Sequence, residues 1–218
     1  MTSEPKLFTV IVGDLVGSRT ISSRRGLSQR IRLVVDRLAR EYRQEFHAPI
    51  TLTKGIDELS GVLKRPAKSY RICRLLNAGV HPARFRFALV RGPLDLGVST
   101  KDAGKMDGAA FHNAADLIRN AKKENLFFSF NLGPRQSELS QLLTEMTNVL
   151  SILRQGWSKH QRHVVETYEE HATQGKAAKK LGITQQAVSD ALRQANWKAF
   201  KRAEDVIDAV LENFDANK

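Results

Sequence analysis

The chain has very little cysteine and no long apolar segment, and each absence excludes a class of protein. Cys73 is the only cysteine, so no disulfide can form within the chain, which fits a reducing compartment. No apolar run approaches the ~20 residues that a membrane-spanning helix needs. The first residues also lack the basic and apolar regions of a signal peptide. We therefore expect a cytoplasmic protein that has no membrane partner.

The chain also has fewer acidic than basic residues. Among the 218 residues, 35 are Lys or Arg and 23 are Asp or Glu, which gives a formal net charge of +12. Such an excess favours an anionic partner: nucleic acid, a nucleotide or a membrane surface. Most of it lies before residue 150, although residues 154–202 are also basic. The alternative interpretation is an Arg-rich face that only contacts solvent.

The stretch 173–197, TQGKAAKKLGITQQAVSDALRQANW, has the pattern of a helix-turn-helix. Gly182 can end the first helix in the left-handed conformation, and Thr184 is a good N-cap for the second. Small and apolar residues at helical spacing supply the faces that we expect to be buried: Ala177, Ala178, Leu181, Ala187, Val188, Ala191 and Leu192. The alternative is an ordinary helical hairpin with a solvated polar face.

The second helix of this pair presents polar side chains that can read base edges in the major groove. We predict that the DNA-binding residues are Lys179, Thr184, Gln185, Gln186, Ser189, Asp190 and Arg193. Asp190 would either accept from a cytosine amine or hold Arg193 in place. Together with Lys179, we expect Lys176, Lys180 and Lys198 to contact phosphates. Because such motifs usually act in pairs, the expected complex is a homodimer on double-stranded DNA.

The N-terminal part alternates strand and helix patterns. We predict elements at 7–12 (strand), 27–46 (helix), 50–53 and 59–63 (strands), 68–76 (helix), 84–90 (strand), 109–122 (helix) and 126–130 (strand). Pro49 is expected to break the chain between the first helix and the second strand. The order predicts an α+β fold, a ferredoxin-like sandwich built on a split βαβ unit.

Gly133-Pro134 marks the predicted domain boundary. We expect an α+β domain at 1–133 and an all-α domain at 134–218 that contains the helix-turn-helix at 173–197. Apolar residues recur with three- and four-residue spacing at the start of the second domain: Leu139, Leu142, Met146, Val149 and Leu153. This helix packs within its own domain or pairs with a second copy.

Carboxylates of the first domain are the candidates for chemistry. Asp14 follows the first strand, and Asp57 and Glu58 lie at the tip of the second-third hairpin, which a split βαβ fold places beside it. Asp14 and Asp57 could therefore share Mg²⁺, which prefers carboxylate oxygens and phosphate. Ser18 and Arg19 could bind the phosphate of a nucleotide. The alternative is that these aspartates only form turns.

Two further residues have simpler interpretations. His112 lies near the start of a helix, where a single histidine is most often packed or capping. Cys73 lies in a helical segment and is expected in the core.

Several segments in order resemble the SatD family of bacterial proteins. The family forms are GD-[IL]-[IV]-GSR, GDEFQGLL and MDGPAFHRA, and this chain contains GDLVGSR, DELSGVL and MDGAAFHNA. Trp157 to Gln161 and Asn196-Trp197 also match family motifs. The resemblance covers nearly the whole chain.

The first domain is also similar, more distantly, to class III nucleotidyl cyclases and diguanylate cyclases. That resemblance implies a palm-like fold, with Asp14 and Asp57 at the two metal-binding positions. The family's hairpin glycine is replaced by Ile56, and the cyclase Asn and Arg positions hold His112 and Asp116. Because an aspartate repels a triphosphate, the resemblance implies binding of metal or nucleotide rather than turnover.

The leading hypothesis is a DNA-binding transcriptional regulator with a cyclase-like domain that binds metal or a nucleotide. The alternative is an enzyme, a metal-dependent nucleotidyl cyclase or transferase that acts on nucleoside triphosphates. A third hypothesis is a protein-interaction module whose helix-turn-helix docks on another protein.

Overall fold

A computed structural model of the chain describes residues 5–18 and 23–214. One sheet has the strand order β2-β3-β1-β4-β5. Its strands are β1 (Leu7–Leu15), β2 (Phe46–Lys54), β3 (Glu58–Leu63), β4 (Phe85–Pro93) and β5 (Phe128–Asn131). Neighbouring strands are antiparallel except β4 and β5. This topology confirms the predicted α+β fold with a split βαβ unit.

Eight α-helices accompany the sheet in the described residues. They are α1 (Arg24–Glu41), α2 (Ser69–Val80), α3 (Ala109–Glu124), α4 (Ser137–Gln155), α5 (Lys159–His171), α6 (Gln174–Leu181), α7 (Gln185–Gln194) and α8 (Trp197–Asn213). None of these helices combines the length and apolar character needed to cross a membrane.

Helices cover both faces of the sheet. On one face, Ala110 and Ala114 of α3 pack with Val12 of β1 and Ala88 of β4. On the other face, the ring of Tyr70 in α2 lies 5.2 Å from that of Phe128 in β5. A Cβ added at Gly79 of α2 would lie 2.5 Å from a methyl of Val34, so α1 packs closely on α2. Successive side chains of a strand point to opposite faces of the sheet. The apolar residues of the strands therefore form two cores, one on each face.

The chain divides into two compact units. The first contains the described residues up to 147 together with 208–214, and the second contains 148–207. Helices α4 and α8 contribute residues to both units. The predicted boundary at Gly133-Pro134 stays a prediction.

Two local expectations were wrong at the end of the first helix. Helix α1 ends at Glu41 and β2 begins at Phe46, although the helical spacing of apolar residues continues as far as Phe46. Pro49 lies inside β2 and does not break the chain before it. Proline has no backbone N–H, but β2 is at the edge of the sheet and Pro49 is exposed. No outer strand therefore needs a hydrogen bond from this position.

An aromatic cluster is central to the second unit. The ring of Trp157 lies 4.9 Å from Phe200 and 6.2 Å from Trp197. The indole nitrogen of Trp157 donates to the backbone oxygen of Ala195 at 3.0 Å. This hydrogen bond fixes the junction between α7 and α8, so the motif residues Trp157 and Trp197 have a structural role.

Candidate nucleic-acid interface

Side-chain caps set the starts of α6 and α7. The hydroxyl of Thr173 accepts from the backbone N–H of Lys176 at 3.3 Å, and that of Thr184 accepts from Ala187 at 3.1 Å. Gly182 ends α6 with a φ of 67°, in the left-handed region. Helix α6 therefore ends at Gly182 and α7 begins after Thr184, as these two residues predicted.

The two helices pack through small side chains. Ala177, Ala178, Val188 and Ala191 are buried, whereas Ala187 and Leu181 are only half-buried. Small residues on α6 allow a close approach to α7, and Val188 fills the contact. Most of the predicted buried face is thus buried.

The opposite face of α7 is open to solvent. Gln185, Gln186 and Arg193 are exposed, and Ser189 and Asp190 are half-buried. The hydroxyl of Thr184, also part of the predicted interface, caps α7.

Asp190 is the centre of a hydrogen-bonded row on this face. Nη2 of Arg193 donates to its carboxylate at 2.8 Å. This bond, followed by one from Gln186, lowers the pKa of Asp190 below its ordinary value. This is the contact that Asp190 needs in order to hold Arg193 in place, and both roles predicted for Asp190 stay predictions.

Lysines surround the two helices. Lys176, Lys179 and Lys180 of α6 and Lys198 of α8 are all exposed. Lys179 and Lys180 belong to the last turn of α6, where cations also interact favourably with the helix dipole.

A groove of about 780 Å³ opens beside α7, and sequence reasoning did not find it. We call it the α7–α8 groove; its polar lining includes Gln174, Ser189, Arg193, Asn196, Lys198, Lys201 and Arg202. The signal that could have found it is the spacing of the three cations of α8, which places them on one helical face.

Asp14 is held by two cations on the α3 face of the sheet. Its Oδ1 lies 2.7 Å from Nζ of Lys122 in α3, and its Oδ2 lies 3.6 Å from Nη1 of Arg86 in β4. The side chains of Asp14 and Arg86 are only 17% and 9% exposed. The carboxylate is therefore neutralised by the protein itself.

Asp57 has a different partner. Nη2 of Arg24, the first residue of α1, donates to its carboxylate at 2.9 Å. The backbones of the two predicted ligand segments do meet, since the N–H of Leu15 donates to the oxygen of Asp57 at 2.8 Å. Their carboxylates, however, take cations from helices that cover opposite faces of the sheet.

This arrangement does not fit a magnesium ion shared by Asp14 and Asp57. Glu58 pairs in register with Asp14, but its carboxylate accepts from Thr53 and Lys54. Within the described residues, no group of three or more His, Cys, Asp or Glu could hold a metal ion.

The remaining candidates are scattered. Ser18 lies after β1, where its backbone oxygen accepts from Arg24 at 2.9 Å, and Arg19 lies outside the described residues. The side chain of His112 is 72% exposed and lies 3.1 Å from Asp107, so it is not packed, and the alternative of a capping role stays a prediction. Asp116 pairs with Arg119 of its own helix.

Solved structures similar to the chain include nucleotidyl cyclases. A bacterial light-regulated adenylyl cyclase is 17% identical over 59% of this chain and 44% of that one, with a TM-score of 0.43. The chain thus spans less than half of that protein's length. The catalytic core of a rhodopsin-guanylyl cyclase with converted specificity, in complex with ATPalphaS, is 18% identical over 51% and 70%, with a TM-score of 0.37.

A third similar structure is the regulator of polyketide synthase expression from Bifidobacterium adolescentis. It is 15% identical over 96% of this chain and 86% of that one, with a TM-score of 0.26. At such values these likenesses carry no argument about activity. No curated protein matches the chain.

The sequence model of the SatD family matches residues 8–211, which include the sheet, the carboxylates of the first unit and the α6–α7 pair. The chain belongs to the SatD family.

Proposed function

We propose that the protein is a DNA-binding transcriptional regulator in which α7 enters the major groove of double-stranded DNA. The observation that carries this proposal is the exposed polar face of α7, where Asp190 orients Arg193. A guanidinium held in one orientation suits bidentate pairing with guanine. Its five N–H donors leave several for a base after one bond to Asp190.

Each exposed residue has a role that its chemistry allows. Gln185 and Gln186 can pair with adenine, and Ser189 can bond to either kind of base edge. Arg193 would read guanine. Lys179 would bind a phosphate, which positions the helix without reading sequence.

A shift assay on the protein's own upstream DNA tests base reading. We expect Arg193→Ala to weaken the preferred site by about 1–3 kcal/mol and to relax sequence preference. Arg119→Ala is the matched control, since Arg119 also pairs with an aspartate three residues earlier and is 72% exposed. Equal, weak binding of the wild-type protein to every sequence would contradict a specific regulator.

Lys179→Ala separates phosphate contact from base reading. It should weaken binding to all duplexes alike and should lower the slope of log K against log salt concentration by about one. Lys54→Ala is a control of the same charge, because its side chain is 76% exposed in the first unit. If the wild-type protein binds no duplex even at low salt, the protein-interaction hypothesis is favoured.

We further propose that the protein binds DNA as a homodimer. Val149, Ile152 and Leu153 of α4 are 54%, 62% and 48% exposed, which leaves an apolar helix face in water. A second copy would cover it and place two α7 helices on half-sites one helical turn apart. Sedimentation should show a dimer that Ile152→Asp converts to monomer; a wild-type monomer would exclude this arrangement.

The first domain would act as a cyclase-like scaffold that binds a nucleotide through Ser18 and Arg19. The separate cation partners of Asp14 and Asp57 weigh against the alternative function, nucleotidyl transfer. Incubation with nucleoside triphosphates and Mg²⁺ or Mn²⁺ tests this. Pyrophosphate release that is lost in Asp14→Asn would favour the enzyme.

A further inference from the structure

The cations of α8 are gathered in its first half. Lys198, Lys201 and Arg202 are related by steps of three and four residues and lie on one helical face. The acidic residues of the helix, Glu204, Asp205, Asp208 and Glu212, all come later. All three cations line the α7–α8 groove.

Helix stability does not explain this order. Positive side chains near a helix N-terminus oppose the helix dipole, and like charges four residues apart, as in Lys198 and Arg202, repel each other. The first turn of α8 has no acidic residue, and the last has no basic one. Lys201 pairs with Asp205 four residues later, but the positions of Lys198 and Arg202 do not stabilise α8.

The groove is positive and unbalanced. Among its described lining residues there is no Asp or Glu. Arg193 and Lys201 contact Asp190 and Asp205, which lie outside the groove lining. Neither Lys198 nor Arg202 has an acidic partner in the part of the chain that the structure describes. Gln174 and Asn196 add amide groups that can donate hydrogen bonds to an anion.

The groove is continuous with the proposed base-reading face. Ser189 and Arg193 of α7 belong to both. A DNA strand that lay along α7 would therefore pass directly over the groove. Lysine, arginine and side-chain amides are the groups that most often bind DNA phosphates.

We infer that the α7–α8 groove seats the backbone phosphates of the DNA strand next to the bases that α7 reads. Lys198 and Arg202 bind the phosphates, and Gln174 and Asn196 donate to their oxygens. This inference rests on the proposed DNA-binding function and adds a second surface to it, on α8, which carries affinity but no sequence information.

The salt dependence of binding measures phosphate contacts directly. Each contact adds about 0.9 to the slope of log K against log salt concentration, so Lys198→Ala and Arg202→Ala should each lower it by about that amount. The double variant should lose nearly twice as much. The ratio of affinities for the preferred and a scrambled duplex should stay unchanged. Lys105→Ala and Arg119→Ala, which remove exposed cations of the first unit, should not alter the slope.

Phosphate ethylation of the duplex locates the contact. Ethyl groups at one or two phosphates flanking the preferred bases should block wild-type binding but not further weaken the double variant. Because Lys198 and Arg202 are exposed, we expect the variants to fold like the wild-type protein. Circular dichroism checks this.

Three results would overturn the inference. If the wild-type protein binds its site selectively but neither variant changes the slope, the groove does not bind DNA and the proposed function stands. If a mononucleotide quenches the fluorescence of Trp197, which lines the groove, and the DNA slope is unchanged in both variants, the groove is a small-ligand site. If the wild-type protein binds no duplex, the inference and the proposed function both fail.

Discussion

Lys122 of α3 places its ammonium nitrogen 2.7 Å from the carboxylate of Asp14 at the end of β1. The two residues come from distant parts of the chain, and Arg86 approaches the same carboxylate from β4. Asp14 thus ties α3 to the centre of the sheet. Asp14, one of the two predicted metal ligands, is therefore paired with cations of the protein itself.

Removing Asp14 should destabilise the protein more than removing Asp57. Asp14→Ala leaves the nearly buried Arg86 without its acidic partner, which costs about 2–3 kcal/mol. Asp57 and Arg24 are 45% and 49% exposed, so Asp57→Ala should cost at most about 1 kcal/mol. Urea unfolding measures both. A larger loss in Asp57→Ala would show that Asp14 does not have this structural role.

The hydrogen bond of Trp157 should contribute measurably to stability. Trp157→Phe leaves the backbone oxygen of Ala195 without its indole donor, at a cost of about 1–3 kcal/mol beyond the lost volume. Trp197→Phe is the matched control, because Trp197 is equally buried and its indole has no hydrogen-bond partner among residues 5–18 and 23–214. Equal losses in the two variants would contradict the role of the bond.

Cys73 should be unreactive in the folded protein. It is fully buried in α2, and burial raises the pKa of its thiol well above the ordinary value. The nucleophilic thiolate is therefore available only after opening, so a thiol reagent should react at least about a thousandfold more slowly than in urea. Cys73→Ala, which has no thiol, gives the background signal of the reagent. Rapid labelling without denaturant would contradict the burial of this residue.

Glu166 should make the second unit sensitive to pH. Burial raises the pKa of its carboxyl above the ordinary value, although Arg154 and Arg162 oppose the shift. Because the folded pKa is raised, the stabilising contribution is complete below the ordinary pKa and is lost as the pH rises through the folded pKa. At neutral pH the ionised carboxylate is therefore unfavourable.

Glu166→Gln, which cannot ionise, tests this directly. Its Tm should exceed that of the wild-type protein at neutral pH, and the difference should shrink as the pH falls toward 4. Glu170→Gln is the control, since Glu170 is exposed on the same helix. A difference that does not depend on pH would contradict the assignment.

Features that depend on local chemistry could be predicted from the sequence. Thr184 caps α7 and Gly182 ends α6, because cap residues act on the adjacent backbone. The buried strands and the split βαβ order follow from short apolar runs separated by turns. Cys73 was correctly expected in the core.

Features that depend on distant partners could not be predicted. Phe46 continues the apolar spacing of α1, yet it pairs with Leu63 in the sheet. The spacing alone does not show whether Phe46 belongs to the helix or to a strand. The cations that engage Asp14 and Asp57 come from distant residues, so only the fold shows that the two carboxylates have separate partners. The α7–α8 groove likewise combines residues from separate helices.

Whether α7 reads DNA sequence is measured by the affinity ratio between a duplex selected from a random pool and its scrambled counterpart. At physiological salt we expect a ratio of about a thousandfold or more for the wild-type protein. Arg193→Ala should lower this ratio by about 1–3 kcal/mol, whereas Arg119→Ala should leave it unchanged. A wild-type ratio near one would show that α7 does not read DNA sequence.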